Sequence, residues 1–249
     1  MMPKPDADRT VQLFATCLVD TIRPSVGLAT LRLLERLGVT VLVPAGQTCC
    51  GQPAFNSGCL DDARATARYT IDLLERSPAP VIVPSGSCGD MIVHRYPELF
   101  TGDPIYGPKA DRVAARTYEL GQYLADVLEV GDVGAKAERT IAYHPSCHLL
   151  RGLGVREAVP RLLEAVAGAQ SVELPGSEEC CGFGGTFAVK MSELSSAMLD
   201  RKLDAIIGSG ADTVVACDAG CLLQIEGGLR RRRAKLAVRH LAEILAESE

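Results

Sequence analysis

The sequence predicts an α/β fold: two similar tandem α/β half-domains with parallel-sheet cores, related by an internal pseudo-twofold repeat. Three observations carry this prediction. A set of four cysteines recurs at matching spacing in the two halves. The segments around each set alternate between strand-like and helical patterns. Each set falls where strands end.

The repeat is read directly from the spacing. Cys17 is followed by 31 residues, then Cys49-Cys50-Gly51, and after 37 more comes Cys88. In the second half Cys147 is followed by 32 residues, then Cys180-Cys181-Gly182, and after 39 more comes Cys221. The two series are offset by 130 to 133 residues, an agreement across four cysteines and a shared glycine that marks a duplicated unit.

The elements follow in order. Strand-like runs precede each first cysteine, at Val11 to Ala15 and Thr140 to Tyr143, and apolar residues at helical spacing follow it, over Pro24 to Leu37 and Val155 to Ala167. Second strands at Val39 to Val43 and Ser171 to Leu174 lead into the Cys-Cys-Gly turns. Helices over Leu60 to Glu75 and Met191 to Ile207 come next, and third strands at Val81 to Val83 and Thr213 to Ala216 end before the last cysteines. The half ends also match, Glu119-Leu120 with Leu124 against His240-Leu241 with Leu245. Strand and helix in strict alternation imply parallel strands with right-handed crossovers, in which loops at the carboxyl ends of strands line the ligand crevice. The expected half-domains are 1–135 and 136–249, joined through a linker at Val130 to Glu138 that holds Gly131 and Gly134 and little apolar pattern.

Composition narrows the function classes. Apolar residues make up 47% of 249, enough for a core. Aromatics are only 4% and tryptophan is absent, so that core is aliphatic. A net charge of −5 argues against a general nucleic-acid or membrane-surface binder. No apolar run approaches the roughly 20 residues of a membrane helix. Met1 to Thr10 carries Asp6 and Asp8 and no apolar stretch, so a cytoplasmic location is expected.

Ten cysteines in such a chain point to metal or redox chemistry rather than to a disulfide framework. Adjacent cysteines rarely bond to each other because the ring is strained; Cys49-Cys50 and Cys180-Cys181 suit ligand roles, two thiolates offered from one turn. Three readings fit the sets: iron–sulfur clusters, zinc, and buried or redox thiols. Soft thiolates select zinc, copper(I) or iron–sulfur clusters. Structural zinc sites use close C-x2-4-C pairs, which a vicinal pair matches poorly. Four thiolates per set and glycine turns that bring backbone N–H groups close favour a cluster, expected as [4Fe–4S] with one per half and zinc as the alternative. The candidate ligands are Cys17, Cys49, Cys50 and Cys88, and Cys147, Cys180, Cys181 and Cys221.

The double Cys…Cys-Cys-Gly…Cys arrangement resembles the cysteine-rich (CCG) domain family, which includes the B subunit of heterodisulfide reductase and the iron–sulfur subunits of glycolate oxidase and anaerobic glycerol-3-phosphate dehydrogenase. The closer resemblance is to the lactate utilization protein A family. It is carried by Cys180-Cys-Gly-Phe-Gly-Gly-Thr-Phe-Ala-Val-Lys190, by His144-Pro-Ser-Cys-His148 and by Cys221-Leu-Leu-Gln-Ile225. The resemblance implies an iron–sulfur electron-transfer subunit of an L-lactate oxidation system, making pyruvate and needed for growth on lactate. It also implies two companions, a ferredoxin-like iron–sulfur protein and a third lactate-utilization subunit. A zinc-stabilised assembly or regulatory module, and a thiol–disulfide catalyst like heterodisulfide reductase, are the alternatives. In the heterodisulfide reductase relatives each motif ends in Cys-x-x-Cys. Here Ser85 and Asp218 stand at the first of those positions, so a four-thiolate cluster fits the count better than a five-cysteine one.

Other residues have both functional and structural readings. His144 and His148 flank Cys147 and are candidates to ligate metal, tune a cluster or relay a proton; otherwise they cap a helix or bond to backbone. Lys190 suits a substrate carboxylate or an exposed helix start. Cys59 reads as a buried small hydrophobe, and Cys217 as either a spare ligand or a packing residue. His94 and His240 read as structural. Arg230 to Arg233 reads as a solvated helix face or a docking patch for an acidic partner. No flavin, nicotinamide or phosphate-loop pattern is present.

Overall fold

The computed structural model describes residues 9–248. The expectation for the start of the chain falls largely on residues 1–8, outside the described residues. In the first half β1 (Thr10–Leu13), α1 (Cys17–Ile22), α2 (Pro24–Arg36), β2 (Thr40–Leu42), α3 (Gln52–Asn56), α4 (Leu60–Leu74) and β3 (Val81–Val83) lead into α5 (Gly86–Asp90), α6 (Tyr96–Leu99), α7 (Tyr106–Ala114), β4 (Thr117–Glu119) and α8 (Leu120–Gln122). The second half runs β5 (Lys136–His144), α9 (Ala158–Glu164), β6 (Ala167–Val172), α10 (Thr186–Lys190), α11 (Ser192–Gly208), β7 (Thr213–Ala216), α12 (Ala219–Arg231), β8 (Ala237–His240) and α13 (Leu241–Ala246). π-helical turns occur at Met91–Arg95, between α5 and α6, at Tyr123–Val127, after α8, and at His148–Gly152, after β5.

Each half is a four-stranded, wholly parallel sheet, ordered β2-β1-β3-β4 and β6-β5-β7-β8. The identical order is the duplication seen in the cysteine spacing. β3 is wholly apolar and β7 nearly so because both of their faces are covered: Val81, Ile82 and Val83 are fully buried, as are Val214, Val215 and Ala216. On α4 the buried positions are Ala63, Ala67, Thr70, Ile71, Leu73 and Leu74, a helical stripe that faces the sheet. The corresponding stripe on α11 is Ser195, Leu199, Lys202, Leu203 and Ile206.

Three apolar clusters hold these layers. One, with Ile71, Met91 and Tyr96, lies on the outer face of the first sheet, and one, with Leu203, Leu222 and Ile225, lies on the outer face of the second. The third joins the halves: Leu33, Leu34, Leu120 and Leu124 pack in one core with Leu162, Leu241, Ile244 and Leu245. Burying a leucine side chain stabilises by about 1.5–3 kcal/mol, so this shared core fixes one half against the other. Polar bonds edge it. Arg23 pairs with Glu226, Arg36 donates to the Leu245 carbonyl at 2.5 Å, and the Gly86 N–H donates to the Cys217 carbonyl at 3.1 Å.

Three expectations change. β6 runs Ala167–Val172, four residues earlier than the strand expected at Ser171 to Leu174, and α9 ends at Glu164 rather than near Ala167. The fourth strands, β4 and β8, were not anticipated, and they close each sheet on the side of the half ends. The segment expected as a linker is only partly one: β5 begins at Lys136, and Val133, Ala135 and Ala137 are buried in the shared core. Among the described residues no helix is long and apolar enough to cross a membrane.

Candidate metal centre

Cys17 and Cys147 open the first turn after β1 and β5. Cys49-Cys50 and Cys180-Cys181 lie in the loops after β2 and β6. Cys88 is in α5 after β3, and Cys221 is in α12 after β7. All three loops of a half leave the same carboxyl edge of a parallel sheet, so the fold itself gathers the four thiols. The two edges face each other, and all eight cysteines line one cavity of about 200 Å³ at the seam, with Ser85, Ser146, His148 and Asp218 on its wall.

Within each set the sulfurs are mutual neighbours. The Cys50 thiol donates to the Cys88 sulfur at 3.3 Å, and Cys49 lies beside the Cys17 and Cys50 thiols. In the second set Cys180 accepts from Cys147 and Cys181. These donors, helped by the Gly51 and Gly182 N–H groups at 3.4 and 3.3 Å, hold Cys49 and Cys180 well below the usual thiol range. The same contacts and burial push Cys17, Cys50, Cys147 and Cys181 up. Four thiolates held this close repel one another, so full ionisation of a set needs a cation among them.

The turns are shaped for this. Gly182 has φ +84°, and a Cβ there would lie 2.5 Å from the Ser195 carbonyl oxygen, while Gly51 has φ +89° over the Ala63 carbonyl. Both positions need the left-handed backbone that glycine adopts freely, and at Gly182 the close approach excludes a side chain as well. Thr16, next to Cys17, has φ 69° and ψ 152°, a conformation strained for a β-branched residue. The thiolate-only donor sets, with backbone N–H groups aimed at Cys49 and Cys180, fit metal or iron–sulfur binding.

The remaining candidates separate. His144 is fully buried with neither ring nitrogen partnered, and a ring nitrogen lies within 4.8 Å of the Cys181 and Cys221 sulfurs; burial and the nearby Lys202 lower its pKa to about 4. His148 is half-buried, its Nδ1 3.6 Å from the Cys147 sulfur and its Nε2 4.0 Å from the buried Asp90 carboxylate. Cys217 is fully buried in the shared core, packed there rather than lining the cavity. Cys59 corrects its expectation: it is exposed, at the N-cap of α4. His94 is exposed and His240 is buried, where its Nδ1 caps α13. Lys190 is exposed at the end of α10 rather than at a helix start. Arg230 and Arg232 pair with Glu226, Asp200 and Asp204 on an exposed surface.

Three features escaped the sequence reading. Asp218 accepts from the Ser85 hydroxyl at 3.0 Å and from the Ser87 N–H at 2.9 Å, while its other oxygen caps α12 at Gly220. Glu119 is fully buried and caps α8. Lys202 is buried on the inner face of α11. A lysine at a position whose neighbours Leu199, Leu203 and Ile206 are core is the one signal that marked it.

The geometry defines a tandem cysteine-rich protein, and the comparisons agree. The model of the cysteine-rich domain (CCG) matches residues 11–93 and 141–226. Lactate utilization protein A of an Exiguobacterium species is 49% identical over 95% of this chain and 97% of its own. That of Bacillus subtilis is 47% identical over 94% of this chain and 98% of its own. The chain belongs to the lactate utilization protein A family, built on two cysteine-rich (CCG) domains. A solved structure of a hypothetical protein from Helicobacter pylori shares the fold with TM-score 0.66 at 13% identity; it is matched over 99% of this chain, which spans half of that chain's length.

Proposed function

We propose that this protein is an iron–sulfur electron-transfer subunit in the oxidation of L-lactate to pyruvate. The observation that carries the reading is the convergence of two four-thiol sets on one cavity. Cys17, Cys49, Cys50 and Cys88 would hold one [4Fe–4S] cluster, and Cys147, Cys180, Cys181 and Cys221 the other. Such clusters supply one-electron transfer. The chain's own residues provide the thiolates, donate N–H bonds from Gly51 and Gly182, and exclude bulk water through the packing around Cys50, Cys88, Cys181 and Cys221, all buried.

The half-domains in this reading are 1–135 and 136–249, each contributing one set. Lactate as the substrate is supported by the names of the relatives. The reading includes a ferredoxin-like iron–sulfur partner and a third lactate-utilization subunit. It also includes a cytoplasmic location, where thiols stay reduced for cluster assembly. The heterodisulfide-type alternative is disfavoured by Ser85 and Asp218, which bond to each other at the positions that relatives give to cysteine.

Deletion of the gene from its host tests the function. Growth on L-lactate should stop while growth on glucose continues, and the intact gene should restore it where a copy with Cys49→Ser and Cys180→Ser does not. Unimpaired growth of the deletion strain on lactate would refute the reading.

A further inference from the structure

The duplicated halves allow each residue near one set to be compared with its counterpart near the other. Gly51 faces the Ala63 carbonyl and Gly182 faces the Ser195 carbonyl, which aligns α4 with α11. In that alignment the buried stripes coincide: Ala63 with Ser195, Ala67 with Leu199, Ile71 with Leu203, and Leu74 with Ile206. The remaining buried pair is Thr70 with Lys202. Three residues before the first cysteine of each set, Phe14 stands opposite His144 in the repeat, and both are fully buried.

The second set therefore has a buried amine and a buried imidazole where the first has a hydroxyl and a phenyl ring. Lys202 is 1% exposed, and its Nζ donates to the Gly176 and Ser177 carbonyls at 2.6 and 3.0 Å. Gly176 and Ser177 lie in the loop that leads into Cys180-Cys181, which places the amine beside the second set. Its strongest charge partner is Glu179. Glu179 is about half exposed and therefore screened, and Asp218 lies between the sets, hydrogen-bonded to groups beside both Cys88 and Cys221. A fixed positive charge or an N–H donor beside a cluster favours its reduced state.

We infer that Lys202 and His144 make the two centres unequal, setting a cluster on Cys147, Cys180, Cys181 and Cys221 at a higher reduction potential than one on Cys17, Cys49, Cys50 and Cys88. Both are positioning residues, acting on the cluster through charge and hydrogen bonding. The inference rests on the iron–sulfur reading above. The test is a potentiometric titration followed by electron paramagnetic resonance, on the full chain purified without oxygen. Wild-type protein should show two reduction steps, and Cys181→Ser should remove the higher one. Lys202→Thr and His144→Phe, which install the first-half residues, should each move the higher step toward the lower and leave the lower in place. Lys202→Met keeps the buried length of the side chain and should shift the step in the same direction if the threonine variant folds poorly. A single step in the wild type, a higher step that survives Cys181→Ser, or a step unmoved in both Lys202→Met and His144→Phe would overturn the inference while leaving the clusters intact. Protein with no iron or sulfide would overturn the underlying reading as well.

Discussion

The Ser85 hydroxyl donates a 3.0 Å hydrogen bond to the Asp218 carboxylate, joining two residues 133 positions apart across the seam of the duplicated fold. The two occupy matching places, each the N-cap of the helix that carries the last cysteine of its half. Asp218 also receives the Ser87 and Gly220 N–H groups, so one carboxylate fixes both cysteine helices against each other.

Removing that carboxylate strands three donors, two of them buried. Asp218→Ala should lower the free energy of unfolding by about 2–4 kcal/mol, and Ser85→Ala by about 1 kcal/mol, since loss of a cap or of a bond to a charged group costs amounts of that order. Urea unfolding of both variants checks the ranking; equal, negligible effects would show that the seam does not depend on this bridge.

Glu119 gives stability a pH dependence. Burial raises its pKa to about 8, above the usual 4.5, against the N–H bonds from Gln122 and Gly121 that favour the charge. The folded chain therefore binds more protons at this group than the unfolded chain, so its contribution to stability is fully present below about pH 4.5 and is lost as pH rises toward 8. At 1.36 kcal/mol per pKa unit, the loss is on the order of 3 kcal/mol between pH 5 and pH 8. Glu119→Gln, which keeps a cap oxygen, should flatten the unfolding profile over that range; an unchanged slope would contradict the assignment.

Gly182→Ala should damage the second centre selectively. The new Cβ meets the Ser195 carbonyl at φ +84°, so the Cys180-Cys181 turn must move. We expect weakened metal loading in the second half and a stability loss of about 1–3 kcal/mol, read by metal analysis and by melting. Retention of full metal content would show that the turn tolerates the shift.

Cys181→Ser should remove about half of the bound metal if the sets load independently. Metal analysis on matched wild-type and variant preparations reads this directly. Unchanged content would exclude Cys181 as a ligand.

Much of this was legible in the sequence because the cysteines repeat and because parallel strands buried on both faces read as short apolar runs. Val81–Val83 and Thr213–Ala216 were placed to the residue for that reason. The fourth strands were missed because Thr117–Glu119 and Ala237–His240 are short and carry polar residues that a pattern of alternation does not flag. Cys59 was expected in the core, but Gly58 at φ 79° turns the chain just before it, leaving it exposed at a helix start. Lys202 and the Ser85–Asp218 bond depend on which helix face and which half come together. Spacing along the chain does not carry that information.

Iron and acid-labile sulfide content, with a visible spectrum, on protein purified without oxygen is the most direct test of the central claim. Two clusters predict roughly eight irons with equal sulfide per chain and a brown colour. One or two zinc ions, no sulfide and a colourless protein would contradict it.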